Sequence, residues 1–217
     1  MNRVLPILFN TEMVRAILEG RKGATRRSVK GYIPDDAVWG YTAFTPKGHI
    51  SCRGTFADGY GEKFFKLPCE SGNILYVRET WYKDKYRYMY CANYSDSEKF
   101  YCDGKEIKIK WHPSIHMPKE AARIWLKVTD VRVERLQEIT PQQAENEGVG
   151  NLFYEDIGYS EKNYGTEVDK EYGIAREQFA WLWESTIKKS DLDRYGWNAN
   201  PWVWVIEFER CEKPEGV

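Results

Sequence analysis

Lys22 and Thr25 lie three residues apart in the segment GRKGATRR, Gly20 to Arg27. A threonine hydroxyl is a poor nucleophile until a base removes its proton, and a neutral lysine amine can be that base. Burial and neighbouring cations lower a lysine pKa towards neutrality, and Arg21, Arg26 and Arg27 supply such cations. Gly23 between the pair permits a turn that brings both side chains to one side. A solvated helix end accounts for the same residues, because Lys-x-x-Thr recurs by chance. A third member would be a carboxylate that holds or polarises the pair, and Glu147 is the candidate. It precedes Gly148 in AENEGV, in the last turn of a short helix, where a negative charge meets the wrong end of the helix dipole at a cost of about 0.3–1 kcal/mol. Glu145 adds like charge. A cation opposite would offset this, and the basic loop can supply one; an exposed glutamate with no partner is the other reading.

Other chemistries lack their signatures. The three histidines are His49, His112 and His116, with Ser114 between the last two in WHPSIHMP. On an extended strand these side chains would share a face, which makes Ser114 and His116 candidates to line a site. Pro113 and Pro118 argue for a rigid loop in which both are structural. G-x-S-x-G, H-E-x-x-H, P-loop and G-x-G-x-x-G patterns are missing. No His, Cys or carboxylate spacing suits a metal, so neither metal nor cofactor is expected.

Composition narrows the class. The chain has 217 residues, with 42% hydrophobic, 30% charged and 15% aromatic residues, including nine Trp. That excludes a disordered chain, where aromatics are scarce. Apolar runs are too short for a transmembrane helix, and MNRVLPILFNTE reads as no signal peptide. Five scattered Cys with no C-x-x-C argue against a disulfide framework and fit a reducing cytoplasm. The net charge of −1 argues against a general nucleic-acid coat protein. The balance hides an asymmetry: Arg15, Arg21, Lys22, Arg26, Arg27 and Lys30 crowd residues 13–30 against Glu19 alone, whereas residues 134–173 are strongly acidic. Solvated faces explain both; an anionic or nucleoside ligand is the competing reading of the basic cluster.

The elements that must position these residues follow from periodicity. Met13, Ile17 and Leu18 sit at helical spacing, with Thr11 or Asn10 as cap and Gly20 as stop, so residues 11–19 read as a short helix. GRKGATRR then enters a strand. Residues 31–70 read as hairpins and loops, Ile74–Val77 as a buried strand, and residues 83–110 as a polar hairpin insertion. Ile124, Leu126 and Val128 alternate on one phase, Val131 and Val133 on the other. The slip at Thr129-Asp130 predicts a bulge or bend. Thr140-Pro141-Gln142-Gln143 forms a capping box, and Gly148 stops that helix. Residues 150–172 read as an acidic excursion. Ala175–Ile187 reads as an amphipathic helix with Phe179, Leu182, Trp183 and Ile187 inward. Trp202–Phe208, apolar on both phases, reads as a central strand. The expected fold class is α+β: one domain over residues 1–217, a small mixed β-barrel decorated by short helices, with insertions near 31–66, 83–110 and 150–175.

Four segments in order, AILEGRKGATRR (Ala16–Arg27), SGNILYVRETW (Ser71–Trp81), RIWLKVTDVRVERLQEITPQQAENEGV (Arg123–Val149) and WVIEFER (Trp204–Arg210), together resemble the ASCH domain family, whose fold is a PUA-like β-barrel. The set is similar in particular to longer ASCH proteins of phages and prophages, where PSIHMPKEAARI (Pro113–Ile124) recurs. Some small members are amidohydrolases that deacylate N4-acetylcytidine, with a Lys and a Thr in G-x-K-x-x-T and a Glu in A-E-x-E. The resemblance therefore implies Lys22 as base, Thr25 as nucleophile and Glu147 as the residue positioning Lys22 or the substrate. Gly23-Ala24 departs from the polar residues often found there. The implied substrate is an N4-acylated cytosine or cytidine, as a free nucleoside or within RNA, with no membrane partner. Arg21 and Arg26 would flank it. Trp81, or Trp39 from an insertion, would stack on the pyrimidine, core packing being the alternative. Arg78 and Glu79 would hydrogen-bond the base unless they form a strand-end ion pair. Backbone N–H groups of the Gly23–Thr25 turn would hold the oxyanion. Other PUA-like members only bind RNA, so a non-catalytic RNA- or nucleotide-binding module is the rival function.

Overall fold

The computed structural model describes residues 3–95, 97–102, 105–149 and 167–216. In chain order, β1 (Val4–Leu8) leads through α1 (Thr11–Leu18) to β2 (Ala24–Ser28). Then come β3 (Val38–Gly40), β4 (His49–Phe56) and β5 (Gly59–Lys66), followed by β6 (Ile74–Arg78). Two hairpins follow, β7 (Trp81–Lys83) with β8 (Tyr88–Tyr90) and β9 (Phe100–Cys102) with β10 (Lys105–Ile107). The chain closes with β11 (Trp125–Arg135), α2 (Pro141–Asn146), α3 (Glu167–Thr186), α4 (Leu192–Tyr195) and β12 (Trp202–Cys211).

The central sheet has the order β1-β6-β11-β12-β2, with β1 parallel to β6 and the remaining pairs antiparallel. β12 lies inside it, as its two apolar phases require. Trp204, Ile206 and Phe208 enter one hydrophobic cluster with Ile7, Val14, Ile17, Leu75, Val77, Leu126 and Val128. Val203 and Val205 enter a second, on Leu136, Ala144, Phe179 and Trp183. Each such fully buried side chain contributes about 1.5–3 kcal/mol, so both faces of this strand are secured. The register of β11 against β12 shifts between Val128 and Asp130, which is the bulge that the change of phase called for. Residues 31–66 build their own antiparallel sheet, β3-β4-β5, and the 83–110 segment holds the β7–β8 turn and the β9–β10 hairpin.

The architecture is mixed α+β, with several sheets and a few helices. Barrel closure is not detected among the described residues: β1 and β2 are the two ends of the sheet, with no ladder between them. α1 joins these ends, and a single side chain reaches across, Arg27 Nη2 donating to the Leu8 carbonyl at 3.0 Å. A seam therefore runs along the free edge of β2. β1 carries Pro6 at its centre, which interrupts the alternation that would mark it as a strand from sequence. Asn10, not Thr11, caps α1, its Oδ1 accepting from the Met13 N–H at 2.8 Å. α3 begins at Glu167, so the final part of the expected acidic excursion is helical, as its Glu and Lys content allows; residues 150–166 lie outside the described residues.

Candidate functional site

The loop after α1 is fixed from three sides before any side chain acts. The N–H groups of Arg21 and Lys22 share the Ala16 carbonyl, Gly23 N–H donates to Asn146 O at 2.9 Å, and Phe208 N–H donates to Gly23 O at 2.9 Å. The loop thus joins the end of α1, the end of α2 and β12. Thr140 caps α2 through the reciprocal box with Gln143, and Gly148 ends it at φ +90°. A Cβ on Gly148 would lie 2.8 Å from Ala16 Cβ and 3.2 Å from Lys22 Cβ. Glycine is therefore required there for its backbone angle and for the close approach of the loop. The result is an isolated backbone bridge between Lys22 and Glu147.

On this frame Lys22 Nζ donates to Glu147 Oε2 at 2.8 Å and to the Glu147 carbonyl at 2.9 Å. The two side chains are only 0% and 3% exposed. Arg26 Nη1 donates to Glu147 Oε1 at 3.2 Å, and its Nη2 reaches Glu134 Oε2 at 3.2 Å and Gln143 Oε1 at 3.1 Å. The carboxylate at the wrong end of the helix dipole thus has two cations on it. Burial pushes the Lys22 ammonium below its ordinary pKa; Glu147 pulls it back up, and Arg27 and Arg26 push it further down. Thr25 is fully buried, and its Oγ1 accepts from Arg27 Nη1 at 2.8 Å. Among the described residues no hydrogen bond joins Lys22 to Thr25. Phe9 floors the group, with Lys22 Nζ 5.6 Å and the Arg27 guanidinium 5.4 Å from its ring centre.

A cavity of about 400 Å³ lies along the free edge of β2. Thr25, Arg26, Arg27 and Glu147 line it together with Phe179, Leu182 and Trp183 of α3. Leu8 and Asn10 from the β1–α1 corner, with Ser28 and Lys30, complete the lining. The open seam of the sheet is thus the site's container. Arg26 Nε is buried with no partner among the described residues.

The other candidates lie elsewhere. Arg21 pairs with Glu19 and donates to Gly148 O at 2.7 Å, lining a small recess behind Glu147 rather than the main cavity. Arg78 donates to the carbonyls of Met117 and Ile115. Glu79 is buried and doubly bonded to Arg123, at 2.9 and 2.8 Å. Trp39 packs edge-on against Phe65, Trp202 and Trp204, and Trp81 lies against His112 and Tyr88. Ser114 and His116 share a 3-10 turn, His116 on the surface. None of these lines the main cavity. Gly23 N–H is already committed to Asn146, so it is not a free oxyanion donor. Sequence reasoning passed over the α3 wall and the role of Arg27 on Thr25. The inward stripe of α3 was legible, but nothing in it says that it faces β2.

Among the described residues, no group of three His, Cys, Asp or Glu could hold a metal ion, and no helix is long and apolar enough to cross a membrane. No family model, curated protein or solved structure matches the chain.

Proposed function

We propose that the protein is an amidohydrolase of the PUA-like ASCH type, removing the acyl group from an N4-acylated cytosine held in the cavity along β2. The observation that carries this reading is the buried Lys22–Glu147 contact with Thr25 and Glu147 lining one cavity. A neutral amine has two N–H groups and one lone pair. With both N–H groups directed at Glu147 Oε2 and O, Lys22 keeps its lone pair for an incoming proton. The Arg27 bond to Thr25 Oγ1 lowers the cost of charging that oxygen, and burial, by lowering the Lys22 pKa, makes the neutral amine that a base requires easier to reach.

In the reaction, Thr25 Oγ bonds the acyl carbon while its proton passes to Lys22 Nζ. The oxyanion takes the unpartnered Arg26 Nε–H. The bond from carbon to N4 then breaks, Lys22 returns the proton to N4, and the cytosine amine leaves. Water, giving a proton to Lys22, attacks the ester carbon. The bond to Oγ breaks, the proton returns to Thr25, and the carboxylic acid departs. Phe179 and Leu182 supply an apolar face for the pyrimidine or the acyl group.

The test is the change in ultraviolet absorbance of N4-acetylcytidine on incubation with the wild type and with Thr25→Ala and Thr25→Ser. The expectation is turnover by the wild type, none by Thr25→Ala, and a partial rate for Thr25→Ser, which keeps the hydroxyl without the methyl that restrains χ1. An active Thr25→Ala would exclude Thr25 as nucleophile. Binding without turnover, weakening with salt, would favour the non-catalytic nucleotide-binding module.

A further inference from the structure

The cavity wall carries three cations, Arg26, Arg27 and Lys30, and one carboxylate, Glu147. Arg26 is balanced by Glu147 and Glu134. Arg27 donates only to uncharged oxygens, Thr25 Oγ1, Arg26 O and Leu8 O; Glu147 acts on it at longer range, and burial still leaves its charge disfavoured. Lys30 has no carboxylate within ion-pair distance among the described residues; its Nζ stands 3.7 Å from the Tyr195 ring centre, a contact that holds the ammonium at the mouth without neutralising it. Ser28 beside it has a hydroxyl with no partner among the described residues. Asn10 spends its oxygen on capping α1, which leaves its amide N–H groups as donors. The lining thus joins the buried Thr25, Arg26 and Glu147 to the more exposed Asn10, Ser28 and Lys30, which carry surplus positive charge and polar donors.

We propose that the site takes its substrate in phosphorylated form, as a nucleotide or as a nucleotide within a strand, with the phosphate at Lys30, Ser28 and Asn10. This rests on the amidohydrolase reading for the base but not for the phosphate. A neutral nucleoside would leave the surplus charge of Arg27 and Lys30 uncompensated. A phosphate offers several acceptor oxygens and the missing negative charge, and charged hydrogen bonds of this kind are the stronger ones.

The experiment is calorimetric titration of the full chain with cytidine, with cytidine 5′-monophosphate and with a short cytidine-containing oligonucleotide, at low and high salt, for the wild type and Lys30→Gln. The monophosphate is expected to bind at least roughly tenfold more tightly than cytidine, the gap shrinking with salt. Lys30→Gln should abolish most of the gap. A preference for the oligonucleotide over the monophosphate assigns the site to a phosphodiester; the reverse assigns it to the free nucleotide. Equal affinity for cytidine and its monophosphate, no binding of the monophosphate, or a gap that survives in Lys30→Gln would overturn the proposal. Turnover of N4-acetylcytidine with no such gap would leave the amidohydrolase standing and remove only the phosphate site. A Lys30-dependent gap with no turnover would do the opposite.

Discussion

Glu79 and Glu147 are both buried carboxylates with a cation in hydrogen-bond contact, and they differ in which cation that is. Glu79 takes Arg123 through two nearly equal bonds, 2.9 and 2.8 Å. Arg123 is held in turn by Asn93 Oδ1 at 2.8 Å and by the Tyr90 ring, 4.1 Å from its guanidinium. A guanidinium does not give up its proton in a protein, and its fork matches a carboxylate. That pair ties β6 to the segment before β11 and stands away from the main cavity. Glu147 takes Lys22, a point charge that burial makes easier to deprotonate, and it lines a cavity together with a hydroxyl. The two regions have the same kinds of charge at similar depth. In the proposed reading, one pair fixes the fold and the other keeps a proton movable.

The largest effect should come from exchanging the cations. Lys22→Arg preserves the charge opposite Glu147 but removes a base that can be neutral, so kcat for N4-acetylcytidine should fall at least ~100-fold, in the range of general-base loss. Arg123→Lys should leave kcat unchanged and lower stability. An active Lys22→Arg enzyme would erase the functional difference between the two pairs.

Next in size is the cost of stranding the partners. Glu79→Ala leaves Arg123 uncompensated and should destabilise by about 3–5 kcal/mol, read as a lower midpoint in urea with turnover per folded molecule retained. Glu147→Ala should lower both stability and turnover. If Glu79→Ala abolished turnover in fully folded protein, the division between structural and reactive pairs would fail.

A smaller effect tests the frame around the reactive pair. Gly148→Ala puts a Cβ against Ala16 and Lys22 at a positive φ, at a cost of roughly 1–3 kcal/mol of strain. Because the clash pushes on Lys22 itself, turnover should fall as well. Gly61→Ala has nothing within 4 Å of the new carbon and serves as the control. Equal thermal midpoints for the two variants would show that the loop does not need its close approach to α2.

Much of this arrangement was legible in the sequence, for identifiable reasons. The change of phase in residues 124–133 called for a bulge or a bend, because side-chain alternation cannot otherwise switch faces, and the register shift between Val128 and Asp130 is the bulge. The box at Thr140–Gln143 and the stop at Gly148 placed Glu147 at a helix end, and the misplaced charge there pointed to a cation opposite. Local pattern pointed only to the basic loop as partner, and the resemblance singled out Lys22 within it: Lys22 and Arg26 reach Glu147 across more than 120 residues, a separation on which local pattern is silent. Arg78 and Glu79 looked like a pair through adjacency alone. Neighbouring residues on a strand point to opposite faces, and each found a partner elsewhere, Arg78 on carbonyls and Glu79 on Arg123. The α3 wall was hidden for the same reason as the cations, since an inward stripe identifies a buried face but not its neighbour.

The most delicate contrast between the two pairs is in alkaline pH. Burial is the main cause that lowers the Lys22 pKa from 10.5. Between that lowered value and about 10.5, the unfolded chain keeps a proton that the folded protein has released. The unfolded state then binds more protons, so stability must rise with pH across this window, by at most about 1.4 kcal/mol per pH unit for one group. Below the folded pKa both states are protonated and the penalty is constant; above the unfolded pKa both are neutral and it is gone. The Glu79 pair, whose cation is a guanidinium, serves as the comparison. Urea unfolding of the wild type and Lys22→Met at a series of alkaline pH values isolates the effect, because the thiols and phenols titrate alike in both proteins and cancel in the difference. The wild-type curve should climb relative to Lys22→Met, whereas Glu79→Gln should differ from the wild type by a constant. The limb over which kcat/KM for N4-acetylcytidine rises should end where this window begins, since loss of the proton from folded Lys22 completes the first and starts the second. A flat stability difference for Lys22→Met would mean that Glu147 offsets the burial of the ammonium completely, leaving Lys22 as firmly charged as Arg123.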